Sequence, residues 1–244
     1  MKLQFDQIFR NILVIDIETA SMVERYEELS PRMQALWEKK SSFMQQNDER
    51  SSDELFFDKG AIFAEFGKVI CISVGFFTKE ADNSVGIRIK SFAFETEKET
   101  LMSFKNLVEA KFGAKDLRMV AHNGKEFDFP YLCRRMLVNG IEIPATLDIR
   151  DKKPWEINHI DTMELWKFGD RKNFTSLDLL AALFDVESSK EDIDGSQVNE
   201  VYYKEKDLER ISKYCQRDVM VTAQVFLKLN GFQEINDDHI KYLA

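Results

Sequence analysis

A chain of 244 residues, 44% hydrophobic and 12% aromatic, can bury a full core, and its length favours one large domain spanning 1–244 over two small ones. No apolar run approaches the ~18 residues of a membrane span, and the N-terminus has no apolar core of signal-peptide length, so the chain is expected to cross no membrane and to remain in the cytoplasm. A net charge of −9 argues against a protein that coats long duplex DNA through many Lys and Arg contacts, though not against one that grips a few nucleotides.

Residues 12–17 form a short apolar run broken by one aspartate, the pattern of a strand buried on both faces of a mixed or parallel sheet. From about 21 to 60 the chain turns polar and helical. Ser30 reads there as an N-cap, with Pro31 at the first helical position, so this stretch is expected to be a helical insertion after the first strand. Residues 68–78 and 86–94, rich in β-branched and aromatic side chains around a polar turn at 81–84, read as a hairpin. A helix over 95–112 follows, with Leu101, Phe104, Leu107, Val108 and Phe112 at helical spacing, then a strand at 118–121. The next helix starts near Asp128 and stops at Asn139-Gly140, with Pro130 just inside its start. Two more are expected near 175–184 and 207–229. The three cysteines, Cys71, Cys133 and Cys215, are widely spaced and form no CxxC pair, so they read as buried structural thiols rather than disulfide or zinc ligands.

Asp16 and Glu18, one residue apart in a strand, point to the same face. Two negative charges in an apolar strand need positive compensation, which a salt bridge at the strand end or a bound cation could supply. Asp128, where a turn gives way to a helix, reads by itself as an N-cap, although a cap can also be a ligand. Tyr214 and Asp218 share one helix face at i, i+4, a spacing that a surface hydrogen bond explains equally well.

Taken together, the strand D-x-E at Asp16 and Glu18, the N-x-x-x-F-D of Asn123 to Asp128 and the late helical Y-x-x-x-D of Tyr214 and Asp218 resemble the three exonuclease motifs of the DEDD superfamily. Tyrosine at 214 is similar to the DEDDy branch. The stretches 153–156, 159–170 and 192–198 are similar to the stand-alone predicted exonucleases related to the proofreading domain of family B DNA polymerases. The resemblance implies an α/β fold, a ribonuclease H-like three-layer α/β/α arrangement with a mixed central sheet. It implies a 3′–5′ exonuclease on single-stranded nucleic acid, DNA ahead of RNA, releasing nucleoside 5′-monophosphates, with a polymerase or repair protein as a conceivable separate partner.

By the same resemblance Asp16, Glu18, Asp128 and Asp218 would hold two Mg²⁺ ions, with Mn²⁺ able to substitute, and Tyr214 would orient the attacking water. Two such ions activate water and stabilise the leaving oxygen of a phosphodiester. Thr19, Asn123, Phe127 and Trp155 are the expected substrate contacts, Trp155 because the basic and aromatic mixtures at 150–155 and 166–172 suit single-strand binding. A solvated loop with buried aromatics explains those two stretches as well, and an Asn-Gly turn explains Asn123. The histidines His122, His159 and His239 lack ligand spacing and are expected to be non-catalytic, His122 and His159 being possible neighbours of the site; the loop 192–198 reads as a turn. An RNA exonuclease and a silent nucleic-acid-binding module are the competing readings.

Overall fold

The apolar run at 12–17 becomes the middle of a sheet. In the computed structural model, which describes residues 5–45, 49–111, 117–170, 174–189 and 192–243, the strands are β1 (Ile12–Ser21), β2 (Gly67–Lys79), β3 (Val85–Phe92), β4 (Arg118–Ala121), β5 (Ile160–Asp161) and β6 (Ile240–Leu243). They form one sheet in the order β5-β4-β1-β2-β3-β6. β1 runs antiparallel to β2 and parallel to β4, β2 is antiparallel to β3, and the two edges, β5 and β6, are added in parallel. The sheet is therefore mixed, with β1 central.

The helices are α1 (Phe5–Ile8), α2 (Pro31–Met44), α3 (Ser52–Lys59), α4 (Glu97–Lys111), α5 (Asp128–Val138), α6 (Thr162–Lys167), α7 (Leu177–Leu183), α8 (Val198–Glu200) and α9 (Leu208–Leu229). Strand alternation sorts them into layers. Leu13, Ile15 and Ile17 pack with Leu101, Phe104 and Val108 of α4 and with Phe129, Leu132 and Met136 of α5. Ile12 and Val14 point the other way, to Val219, Ala223, Phe226 and Leu227 of α9. Each fully buried aliphatic or aromatic side chain of this kind contributes about 1.5–3 kcal/mol by leaving water, so β1 is anchored on both faces. This is the expected three-layer α/β/α arrangement.

The first layer is also locked by charge. Arg135 on α5 donates to both carboxylate oxygens of Glu97, at 2.8 and 2.7 Å, and to the Ala64 carbonyl, while Glu97 accepts from the Val69 amide and from Asn139. The two side chains are 7% and 10% exposed, and both Glu97 oxygens are used, which is what makes so sheltered an ion pair tolerable.

The insertion after β1 forms as expected, with Ser30 capping α2 through the Met33 amide and Pro31 in the first turn. It carries a small core of its own: Trp37 is fully buried against Phe56 and Phe66, and its indole N–H donates to the Ser52 carbonyl at 2.7 Å. Residues 46–48 of the insertion and Phe112 of the helix expected over 95–112 lie outside the described residues. The hairpin turn is held by Asp82, which accepts from the Ser84 amide, and by Asn83 in the left-handed region at φ 68°.

Several elements differ from the expectation. β1 continues to Ser21, past 17, because Glu18–Ser21 pair with Gly67–Cys71 across a register shift between Glu18 and Thr19. The short α1 precedes β1, in a stretch for which the sequence suggested no element. β5 and β6 are two and four residues long, and α8 leads into a π turn at Val201–Glu205. None of these is long enough to show a periodicity.

Candidate active site

The side of β1 that meets α9 carries Ile12, Val14, then Asp16 and Glu18, so the apolar contact between strand and helix ends in carboxylates. Opposite them α9 presents Tyr214, Cys215 and Asp218. The Cys215 thiol donates to Asp16 Oδ2 at 3.2 Å and reaches the Asp16 carbonyl at 3.4 Å. Oxygen atoms of Asp16 and Glu18 and the Cys215 sulfur all lie within 4.8 Å of one another. Tyr214 is buried rather than on the surface, with Asp218, Glu18 and Asp16 as its acidic neighbours. Asp128 arrives from the other layer, at the start of α5 and 4% exposed. The helix begins one residue earlier than an N-cap role would need: Phe127 holds the cap position and Asp128 is the first helical residue, so its carboxylate is free of capping duty.

The end of β1 is fixed from three directions. The Asn199 side chain accepts from the Ser21 amide at 2.9 Å and donates to the Phe57 carbonyl on α3, and the Tyr203 hydroxyl donates to the Ser21 carbonyl. The register shift after Glu18 belongs to the same stretch, a device that re-aims a side chain at the edge of regular pairing.

Charge on these groups is costly. Burial first, then Asp218 and Asp128, raises Asp16 well above the ordinary aspartate range. Glu18 is raised likewise by burial, then by Asp16 and Asp218. Asp128 is pushed up to about 7, chiefly by burial, with Asp161 and Asp218 adding to it against the help of nearby backbone amides. Among the described ion pairs none includes Asp16, Glu18 or Asp128, so the strand-end salt bridge that could have explained the D-x-E pair is not formed. Tyr214 is held as the neutral phenol by burial and by Asp218, Glu18 and Asp16 around it.

The donor chemistry fits a hard cation. Carboxylate oxygens dominate, and Mg²⁺ takes one or two of them plus waters and phosphate. Cys215 is held as a thiol by burial, then by neighbouring Cys71 and by Asp16 and Glu18, so towards Asp16 it is a hydrogen-bond donor.

The turn before α5 brings Asn123 to this region in the left-handed conformation, φ 60°. Its amide N–H and that of Lys125 donate to the two oxygens of Asp161, which is 2% exposed and also caps α6. Asn123 Oδ1 is buried and accepts no hydrogen bond from the described residues. Glycine follows it for a steric reason: a Cβ on Gly124 would collide with that of Ala121 and come within 3.5 Å of the Asp128 carboxylate. Phe127 lies half-buried against Tyr131, with ring centroids 5.3 Å apart; the Tyr131 hydroxyl donates to the Ala61 carbonyl at 2.8 Å, with Thr19 beside it. Trp155 stands on an exposed turn with Lys153 Nζ 5.4 Å from its ring centroid. Trp166 of the second basic-aromatic stretch packs edge-on against Phe184, a core contact, and Arg171 and Lys172 lie outside the described residues.

Two of the histidines bridge elements of the fold. His159 is buried, lowered to about 4 by that burial, bridges the Met119 amide and the Thr146 carbonyl, and packs on Phe129, the neighbour of Asp128, with ring centroids 4.8 Å apart. His122 lies between Thr162 and the Thr175 carbonyl. Three features were missed in the sequence: the thiol of Cys215 on Asp16, the brace of Asp161, and the loop at 192–198, where a Cβ on Gly195 would stand 4.0 Å from the Tyr214 hydroxyl. Asp161 and Gly195 fall in stretches that had stood out by pattern without a role.

Fold and site together define an α/β protein with the architecture of a polymerase-associated exonuclease domain. The family B DNA polymerase of the hyperthermophilic archaeon Pyrobaculum calidifontis superposes with a TM-score of 0.52 over 89% of this chain and 24% of the polymerase, at 18% identity. The chain thus spans about a quarter of that enzyme's length, and the likeness is one of fold. Residues 62–241 match the family described as predicted 3′–5′ exonuclease related to the exonuclease domain of PolB, and the chain belongs to that family. The matched span contains Asp128, Tyr214 and Asp218, while Asp16 and Glu18 precede it and reach the same place through the sheet. No curated protein matches the chain. Among the described residues no helix is long and apolar enough to cross a membrane.

Proposed function

We propose that the chain is a Mg²⁺-dependent 3′–5′ exonuclease that removes nucleoside 5′-monophosphates from single-stranded nucleic acid, DNA in preference to RNA. One observation carries the reading: Asp16 and Glu18 of β1, Asp128 of α5 and Asp218 of α9 lie close enough to raise one another's carboxyls, and among the described contacts Asp16, Glu18 and Asp128 have no Lys or Arg to neutralise them. A cation from outside the chain is the compensation that remains.

In this reading Asp16, Glu18 and Asp218 hold one ion, and Asp16 and Asp128 hold a second. Bound there, two divalent ions supply an activated water, a neutralised phosphate and a stabilised leaving oxygen. Tyr214 remains protonated, so it orients the water through its hydroxyl and does not take its proton. Asn123 Oδ1, buried and without a donor among the described residues, suits a hydroxyl of the terminal sugar. Phe127, beside Asp128, offers an aromatic face to the terminal nucleotide, Thr19 supports it through Tyr131, and exposed Trp155 is placed to stack a base further along the strand.

The test is cleavage of matched 5′-labelled single-stranded DNA and RNA with Mg²⁺ and with chelator. A ladder that shortens from the 3′ end, needs the metal and runs faster on DNA is expected. A faster RNA ladder would reverse the sugar assignment. No cleavage of either strand by folded protein with Mg²⁺ or Mn²⁺ would leave a binding module.

A further inference from the structure

Cys215 lies between Tyr214 and Asp218 in sequence but does not share their role. Its sulfur is fully buried and sits 3.2 Å from Asp16 Oδ2. The sulfur and one oxygen each from Asp16 and Glu18 lie within 4.8 Å of one another. Donors on one tetrahedral ion bound at about 2.0–2.3 Å stand about 3.3–3.8 Å apart, so the Cys215–Asp16 pair is already close to that spacing and side-chain rotations of about 1 Å would bring all three onto a shared cation. A second observation points to a ligand: Glu18, only 7% exposed and on the same strand face, has no hydrogen-bond or ion-pair partner among the described contacts.

We infer that Cys215 gives the carboxylate centre a soft third donor, so that Asp16, Glu18 and Cys215 together take a thiophilic divalent cation such as Zn²⁺ or Co²⁺. Carboxylates alone favour hard ions, whereas one sulfur ligand shifts preference towards Zn²⁺ and its neighbours in the first transition row. On binding, the sulfur–metal bond forms, the S–H bond breaks and its proton leaves to solvent; nothing is oxidised. The hydrogen bond from Cys215 to Asp16 is lost in the same step, so the site has two arrangements. With Mg²⁺ the thiol steadies Asp16, and with Zn²⁺ the sulfur is a ligand. The inference rests on the proposed metal centre, and it predicts that Zn²⁺ competes with Mg²⁺ for Asp16 and Glu18.

The experiment is Co²⁺ titration of the full chain followed by near-ultraviolet absorption, where a sulfur-to-cobalt charge-transfer band reports a Co–S bond directly. The wild-type chain should develop the band, and excess Zn²⁺ should bleach it. Cys215→Ser should lose it. Glu18→Gln should lose it too although every thiol remains, and that variant decides the matter should Cys215→Ser fail to fold. No band in the wild type, a band that persists in Cys215→Ser, or one that survives Glu18→Gln would overturn the inference. Strand cleavage with Mg²⁺, scored separately, keeps the two readings apart: cleavage without a band overturns the sulfur ligand alone, and a band without cleavage supports it while removing the exonuclease assignment.

Discussion

Asp16 and Glu18 occupy positions on β1 where the preceding residues of the same face, Ile12 and Val14, are fully buried apolar side chains. Their charges destabilise the metal-free fold, and this has measurable consequences. Asp16→Asn should lower Mg²⁺-dependent cleavage by about 10³-fold or more, the several kcal/mol that metal-centred stabilisation supplies, while raising the melting temperature of the metal-free protein. A fall in both would mean that Asp16 serves the fold. Tyr214→Phe keeps the ring and removes the hydroxyl, so its rate should drop by about 10–100-fold, less than for Asp16→Asn. The pH dependence has a definite sign. Asp128 is raised from 3.8 to about 7 in the folded chain, so between those values the native state holds a proton that the unfolded state has released. The metal-free protein should therefore lose stability as pH rises across that window, and Mg²⁺ should restore more at pH 8 than at pH 5 in thermal melts.

At the scale of elements, two structures outside the site carry much of the stability. Arg135→Ala would leave Glu97 buried and charged beside the Val69 amide it caps, at a cost of about 3–5 kcal/mol in chemical denaturation. Trp37→Ala should cost about 3–5 kcal/mol within the insertion, and hydrogen exchange should show α2 and α3 opening while the β1 and β2 amides remain protected. The long elements were legible because their signals are local: the apolar run of β1, the i, i+3, i+7 pattern of Leu101, Phe104 and Val108, and the Ser30-Pro31 start of α2. Strand and helix periods put Asp16 with Glu18 and Tyr214 with Asp218 on shared faces, but only the resemblance to the DEDD motifs joined them with Asp128 as one expected site. What was hidden depends on tertiary packing. No local pattern announces that Cys215 faces Asp16, that Asp161 braces Asn123, or that Arg135 pairs with Glu97 across 38 residues. β6 was missed because it is a short, largely exposed edge strand.

Across the whole molecule, 43 acidic residues outnumber 34 basic ones, so affinity for a strand cannot come from a broad basic face. Binding of single-stranded DNA to the Asp16→Asn chain should therefore weaken only gently with salt. Each phosphate contact contributes a slope of about −0.7 in the log–log plot, and a total near that of two or three contacts is expected. A slope several times steeper would point to an extended basic groove. The family membership, the mixed sheet and the four carboxylates all bear on one claim, that Asp16, Glu18, Asp128 and Asp218 act together as a catalytic metal centre. The most direct test is the Mg²⁺-dependent rate at which folded Asp16→Asn and Asp218→Asn shorten a 5′-labelled strand from its 3′ end, measured beside the wild type. A wild-type ladder and near-complete loss in both folded variants are expected. Wild-type rates in either folded variant would contradict that claim.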